Sequence, residues 1–104
     1  MGYVYLIRDI NNDIYKIGVT RSKNLKRIKQ LQTGNSSELE VVIMYETQYP
    51  FRLEKLLHTY YANSHIRGEW FSLSNPNEFI GICERLQNTI YVLLDNPYFN
   101  KSIK

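Results

Sequence analysis

The residues able to do chemistry fall into a few short stretches of the chain. Tyr5 stands in the opening run GYVYLI, and Tyr15 and Lys16 stand in IYKIGVT. Arg27 lies in a basic stretch, Glu54 and His58 in LEKLLH, and Glu69 in GEWF beside Trp70. None carries a function alone. A strand tyrosine ordinarily packs with its hydroxyl at the surface, and a glutamate and histidine four apart can be a simple helix-surface pair. Lys16 fits the outward position of a half-exposed strand. The basic stretch says more: Lys16, Arg21, Lys23, Lys26, Arg27 and Lys29 follow one another, and no acid occurs between Asp13 and Glu38. Such a field attracts a polyanion, of which nucleic acid is the commonest, and a solvated helix face is the alternative. The chain has no Gly-rich phosphate loop, no Cys and His cluster with zinc spacing and no Gly-x-Ser-x-Gly elbow, so several enzyme classes drop out. The lone Cys83 sits in an apolar helical stripe and reads as a packed thiol.

These residues need elements to hold them. At 104 residues the chain is one domain, and its 43% hydrophobic and 22% charged content matches a globular chain rather than a disordered one. No run reaches the roughly 18 apolar residues of a membrane span, and the start has neither a secretory pattern nor the Ser or Thr of a myristoylation signal. No membrane partner is expected, and the expected location is cytoplasmic or nuclear. YVYLIRDI and DINNDIYKIGV read as a β-hairpin turning at Asn11, Asn12 and Asp13. Pairing Asn11 with Asn12 sets Tyr5 opposite Ile17 or Gly18, with Lys16 diagonal to it. In SKNLKRIKQLQTGN, Leu25, Ile28 and Leu31 recur at helical spacing, with Ser22 or Asn24 as cap and Gly34 as C-terminal glycine. LEVVIMYE reads as a third, central strand. Pro50 opens a second helix reaching about Ala62, and EWFSL is strand-like but short. Asn75, Pro76 and Glu78 suggest a capping box, and Phe79, Cys83, Leu86, Ile90 and Leu93 mark one stripe of a last helix over 76–94. The expected fold is therefore a small α/β (α+β) domain over residues 1–95, a mainly antiparallel three-stranded sheet flanked by helices with an added C-terminal helix, followed by a polar tail at 96–104.

GYVYLI, YKIG, an arginine in the next helix, LEKLLH and GEWF occur in this order, and in that order the chain resembles the GIY-YIG nuclease superfamily. The resemblance covers residues 2–73 and is strongest to the phage, viral, bacterial and fungal branch with YKIG, LEKxLH and GEWF. It implies that Tyr5 takes the place of the tyrosine of the first signature and Gly18 that of the glycine of the second. Lys16 then replaces the second tyrosine, Arg27 matches the helix arginine and Glu54 the metal-binding glutamate. Leu31 stands where many members carry His or Tyr, so that role is vacant or falls to His58.

The function so implied is metal-dependent endonucleolytic hydrolysis of DNA phosphodiester bonds. One Mg²⁺ or Mn²⁺ ion would sit on Glu54, Arg27 would clamp a nonbridging oxygen, and Tyr5 would act as the general base for water or position it. A phenol with a pKa of about 10 needs help in that role, and an ammonium such as Lys16 within about 4–6 Å would favour its ionised form. His58 would assist a proton transfer, touch DNA or pack beside Glu54. Arg21, Lys23, Lys26 and Lys29 would contact nucleic acid, and Tyr15 and Glu69 are further site candidates. Target choice would come from a homodimer or a protein partner. A catalytically silent nucleic-acid-binding module of the same fold is the alternative, and a protein interaction domain using the last helix is a weaker one.

Overall fold

The computed structural model describes residues 1–22, 26–34 and 37–95, apart from the side chains at 27 and 28. Strands β1 (Gly2–Asp9) and β2 (Ile14–Thr20) form the antiparallel hairpin. Its turn is built on Asp9, a buried carboxylate: Oδ1 accepts from the amides of Asn11 and Asn12, each at 3.1 Å, and Oδ2 accepts from Asn12 Nδ2 at 3.0 Å. Asp13 closes the turn at φ 52°, a left-handed conformation that aspartate adopts more readily than bulkier residues. Strand β3 (Leu39–Thr47) pairs with the other side of β1, with a bulge at Leu6 and Ile7.

Two short strands, β4 (His65–Arg67) and β5 (Trp70–Phe71), extend the sheet beyond β2, so the order is β3-β1-β2-β5-β4 and every pairing is antiparallel. The sheet therefore has five strands rather than three, and β1 rather than β3 lies inside it. Strands of two and three residues, one of them exposed at every position, carry no periodicity to read. The apolar run of β3 had suggested a central strand, but it lies at the sheet edge, and its run is apolar because both faces are partly covered: Ile43 and Tyr45 pack against the main core, Leu39, Val41 and Met44 against Tyr5 and Ile7. Arg67 and Trp70 pair across a two-residue turn whose first residue, Gly68, has φ +52°, the geometry that favours glycine in a tight hairpin.

Helices α1 (Lys26–Thr33), α2 (Pro50–Tyr60) and α3 (Phe79–Leu94) cover the sheet, α3 following a single 3-10 turn at Pro76–Glu78. The expected capping box is not made. Asn75 forms no side-chain cap bond, and Glu78 instead accepts the Tyr61 hydroxyl at 3.4 Å. Asn24, Leu25 and the polar tail at 96–104 lie outside the described residues.

Strand alternation sorts the hairpin into two faces. Val4, Leu6, Tyr15 and Ile17 pack with Leu53 and Leu57 of α2 and with Phe79, Ile82, Cys83 and Ile90 of α3. Each such side chain, fully buried, contributes roughly 1.5–3 kcal/mol. Tyr15 is thus a core residue facing away from Lys16, because neighbours in a strand point to opposite faces. Burial pushes the Cys83 thiol up to about 12, consistent with a packed rather than reactive cysteine. On the other face Tyr5 and Ile7 pack with Leu31 of α1 and with Val41 and Met44 of β3. No described helix is long and apolar enough to cross a membrane.

Burial alone would raise the Asp9 pKa, but hydrogen bonds from Asn12, Ser37 and Asn11 outweigh it and hold the carboxyl below its ordinary value. Its contribution to stability is therefore present above the unfolded carboxylate pKa and is lost as pH falls through the lower folded value. Asp9→Ala should cost about 1.5–3 kcal/mol at neutral pH and flatten the acid limb of the stability curve, measured as urea midpoints between pH 2 and 7. An acid limb as steep as that of the parent would contradict this account.

Candidate functional site

The hairpin register places Tyr5 opposite Gly18 and Ile7 opposite Lys16, so Tyr5, Lys16 and Gly18 share one sheet face. The condition that Tyr5 and Lys16 lie on the same side is met. Tyr5 is buried, and its ring folds over the Gly18 α-carbon: a Cβ there would lie 2.3 Å from the Tyr5 hydroxyl and 2.4 Å from the ring carbon bearing it. No side chain can occupy position 18 while Tyr5 holds this place.

Lys16 Nζ is 2.8 Å from Glu69 Oε2, with the lysine side chain 14% exposed and the glutamate 38%. The ammonium also stands 5.6 Å from the Trp70 ring centroid. Glu69 reaches this position because it is the second residue of the β4–β5 turn, whose carbonyl accepts the Ile17 amide at 3.0 Å. The ladder between β2 and β5 ends at Lys16 and Trp70. Just beyond it, the Ile17 carbonyl lies 3.0 Å from His58 Nε2, so that nitrogen carries a proton and donates. The imidazole meets Phe71 edge-on at 4.9 Å. His58 is thus held by the Ile17 carbonyl and the Phe71 ring.

Helix α2 carries Phe51, Glu54 and His58 along one stripe at offsets of three and four residues. Glu54 Oε2 is buried without a hydrogen-bond partner. Burial is the main cause of a raised Glu54 pKa, and the nearby charge of Glu69 adds to it, while His58 and Lys16 oppose. A hydrogen bond between the two carboxyls forms only when one is protonated, so the pair favours uptake of a proton or a cation. Among the described residues no group of three or more His, Cys, Asp or Glu could hold a metal ion. The protein thus offers one carboxylate with a second beside it, a set that suits a hard ion keeping most of its waters better than it suits zinc.

The structure brings together Lys16, Glu54, His58 and Glu69, with Tyr5 two pairs further along the hairpin on the Lys16 face. Glu69 was legible only as a further candidate, and the signal for its importance was the glycine before it, which makes the turn. Arg21 follows β2 and lies with its guanidinium 5.8 Å from the Phe51 ring, while Lys26 and Lys29 are exposed on α1. Arg27 is in α1 one turn before Leu31, but its side chain lies outside the described set, as does Lys23 altogether.

The T5orf172 domain model matches residues 2–87, most of the chain. The chain belongs to the T5orf172 domain family. This corrects the resemblance drawn from the motifs, since T5orf172 is a different family from GIY-YIG and no GIY-YIG model matches. YKIG, LEKLLH and GEWF are too short to separate families, because each is chosen largely by local demands: a glycine under an aromatic ring, an amphipathic helical turn, a tight hairpin. T5orf172 domains are nuclease-like or DNA-binding-like, consistent with a nucleic-acid-related role. No curated protein and no solved structure matches the chain.

Gly18→Ala should destabilise the protein by about 1–3 kcal/mol through overpacking against the Tyr5 ring. In a Tyr5→Ala background the same substitution should cost far less, because its obstacle is gone. Thermal unfolding of the four proteins checks this, and additive losses would mean that the two residues do not meet.

Proposed function

We propose that the T5orf172 domain of this chain is a divalent-metal-dependent endonuclease that hydrolyses DNA phosphodiester bonds at the Glu54 cluster. The observation that carries this reading is the buried, unpartnered Glu54 oxygen beside a second carboxylate and a lysine, at the margin of a sheet flanked by a basic helix. A buried carboxylate oxygen with no hydrogen-bond partner costs stability, and such costs concentrate at functional sites. The donors fit Mg²⁺ or Mn²⁺: Glu54 would hold one ion, with Glu69 adjacent and waters and a phosphate oxygen completing the shell. When bound, the ion would neutralise charge on the phosphoryl oxygens and lower the pKa of water.

The remaining work falls to the protein. Lys16 holds the Glu69 carboxylate in place and sets a positive charge on the face that carries Tyr5. The Tyr5 hydroxyl, fixed over Gly18, orients or deprotonates the attacking water, a positioning role that suits phosphoryl transfer, where alignment and electrostatics carry most of the catalysis. His58 ties α2 to the β2 edge and so fixes the height of Glu54. Arg21, Lys26 and Lys29 supply phosphate contacts that position the strand without reading sequence. Arg27, in the same helix, is assigned to a nonbridging oxygen.

Plasmid incubated with the protein and Mg²⁺ should be nicked, and EDTA should stop it. Glu54→Gln should lower the rate at least about a hundredfold. Because the Glu54 pKa is raised, the metal-free protein is favoured below the ordinary glutamate pKa and loses that advantage as pH rises through the folded value. Glu54→Gln should therefore raise the metal-free melting temperature at neutral pH, whereas Mg²⁺ should stabilise only the parent. Salt-dependent DNA retention with no nicking by either protein would favour the silent binding module instead.

Lys16→Met should slow cleavage and move its pH optimum upward by weakening the support for an ionised Tyr5. An unchanged pH profile in plasmid nicking would remove Lys16 from that role.

A further inference from the structure

The turn that delivers Glu69 also builds a cleft on its other side. It measures ≈ 410 Å³, within the range of small-ligand sites, and is lined by Asp9, Asn12, Ser37, Ile66, Arg67 and Trp70, with Ile14 at its floor. Trp70 is only half-buried, and its ring borders both this cleft and the Lys16 ammonium. Arg67, its ladder partner across the turn, is exposed and makes no ion pair among the described residues. The only carboxylate lining the cleft, Asp9, is turned inward at 4% exposure and occupied by Asn11, Asn12 and Ser37. The cleft thus combines an aromatic surface, a free guanidinium and the polar side chains of Asn12 and Ser37.

We propose that this cleft holds an unpaired nucleobase of the DNA strand, stacked on Trp70, with Arg67 on the adjoining backbone phosphate. The proposal rests on the nuclease reading and adds a substrate class: DNA with a single-stranded segment at the cut site rather than continuous duplex. Aromatic side chains beside a positive groove are the recurring means of holding single strands, because every base has a π-face and a paired base hides it. Lys16 couples the two halves of the site. It stands 2.8 Å from Glu69 and 5.6 Å from the Trp70 ring, so a base on the indole brings its own phosphate toward the Glu54–Glu69 pair. Residues two apart in a strand are separated by roughly 6.6 Å, which is the step from Gly18, under Tyr5, to Lys16, opposite Trp70. Discrimination then needs no base-specific hydrogen bond, since duplex DNA has no base free to enter.

Trp70 is the only tryptophan in the chain, so tryptophan fluorescence reports on this one ring, at the cleft and beside Lys16. The Glu54→Gln protein, without Mg²⁺, is titrated with a single-stranded oligodeoxynucleotide and separately with the same sequence as blunt duplex, following tryptophan emission and the anisotropy of a labelled strand. The single strand should quench the emission and bind at least about tenfold more tightly than duplex. Trp70→Leu should remove that preference while leaving duplex affinity unchanged, and Arg67→Ala should reduce the salt slope for single strands by about one contact. Circular dichroism of both variants shows whether they fold, and Arg67→Ala, at an exposed position, keeps the test valid if Trp70→Leu does not. Binding without quenching, or equal affinity for both forms, overturns the inference and leaves the nuclease reading intact. Quenching and single-strand preference in a parent protein that never nicks DNA would uphold the cleft and overturn the nuclease reading instead.

Discussion

The hairpin register that sets Tyr5 opposite Gly18 is the constraint on which the site depends. It is held at the turn end by the buried Asp9 carboxylate and in the middle by the bare Gly18 α-carbon beneath an aromatic ring. A slip of one residue would carry Lys16 into the core and Tyr15 out of it, exchanging every side chain between the two faces. It would also move Ile17, whose amide and carbonyl dock the Glu69 carbonyl and His58, so the turn and α2 would lose their anchor together. One pairing therefore fixes three elements that are far apart in sequence.

The shortness of β5 follows from the same logic. Two residues suffice to bring Glu69 to Lys16, and a longer β5 would pair with Ile17 and displace His58 from its carbonyl. Where β5 ends, α2, packed on the opposite face, meets the β2 edge through His58 and brings Glu54 near Glu69 and Lys16. Sheet edges normally need protection from further pairing, and here a helix side chain supplies it locally.

Much of this was legible in the sequence where local chemistry decides structure. The hairpin, its Asn-Asn-Asp turn, a register that left Ile17 or Gly18 opposite Tyr5, and the proline-started α2 all follow from residue types over a dozen positions or fewer. What escaped was non-local. The edge position of β3 depends on which strands pair on either side of β1, and a run such as VVIM reads alike in both places. Glu69 and Tyr15 show the same limit: a polar residue in a short turn became a partner of Lys16 because of distant pairing, whereas a tyrosine beside that lysine became core because it points the other way. Family assignment failed for a related reason. Motifs of four to six residues record local demands, while the match over residues 2–87 integrates the whole arrangement.

The charges of the cluster bear on its chemistry as a group. One ammonium, Lys16, faces two carboxylates, Glu54 and Glu69, and His58 beside them donates Nε2–H to the Ile17 carbonyl. With Glu54 ionised the two carboxylates outnumber the lysine and would repel a phosphodiester; with Glu54 protonated, Glu69 and Lys16 balance and Glu54 offers no anionic ligand. In the proposed nuclease a divalent cation would resolve both difficulties, because it would favour ionised Glu54 and reverse the sign that a DNA backbone meets. The basic residues of α1 and Arg21 would then act beyond the cluster, drawing the strand toward a centre that becomes attractive only when occupied. The raised pKa of Glu54 comes from burial first and the Glu69 charge second, so a cation at this position would relieve the same cost that protonation relieves.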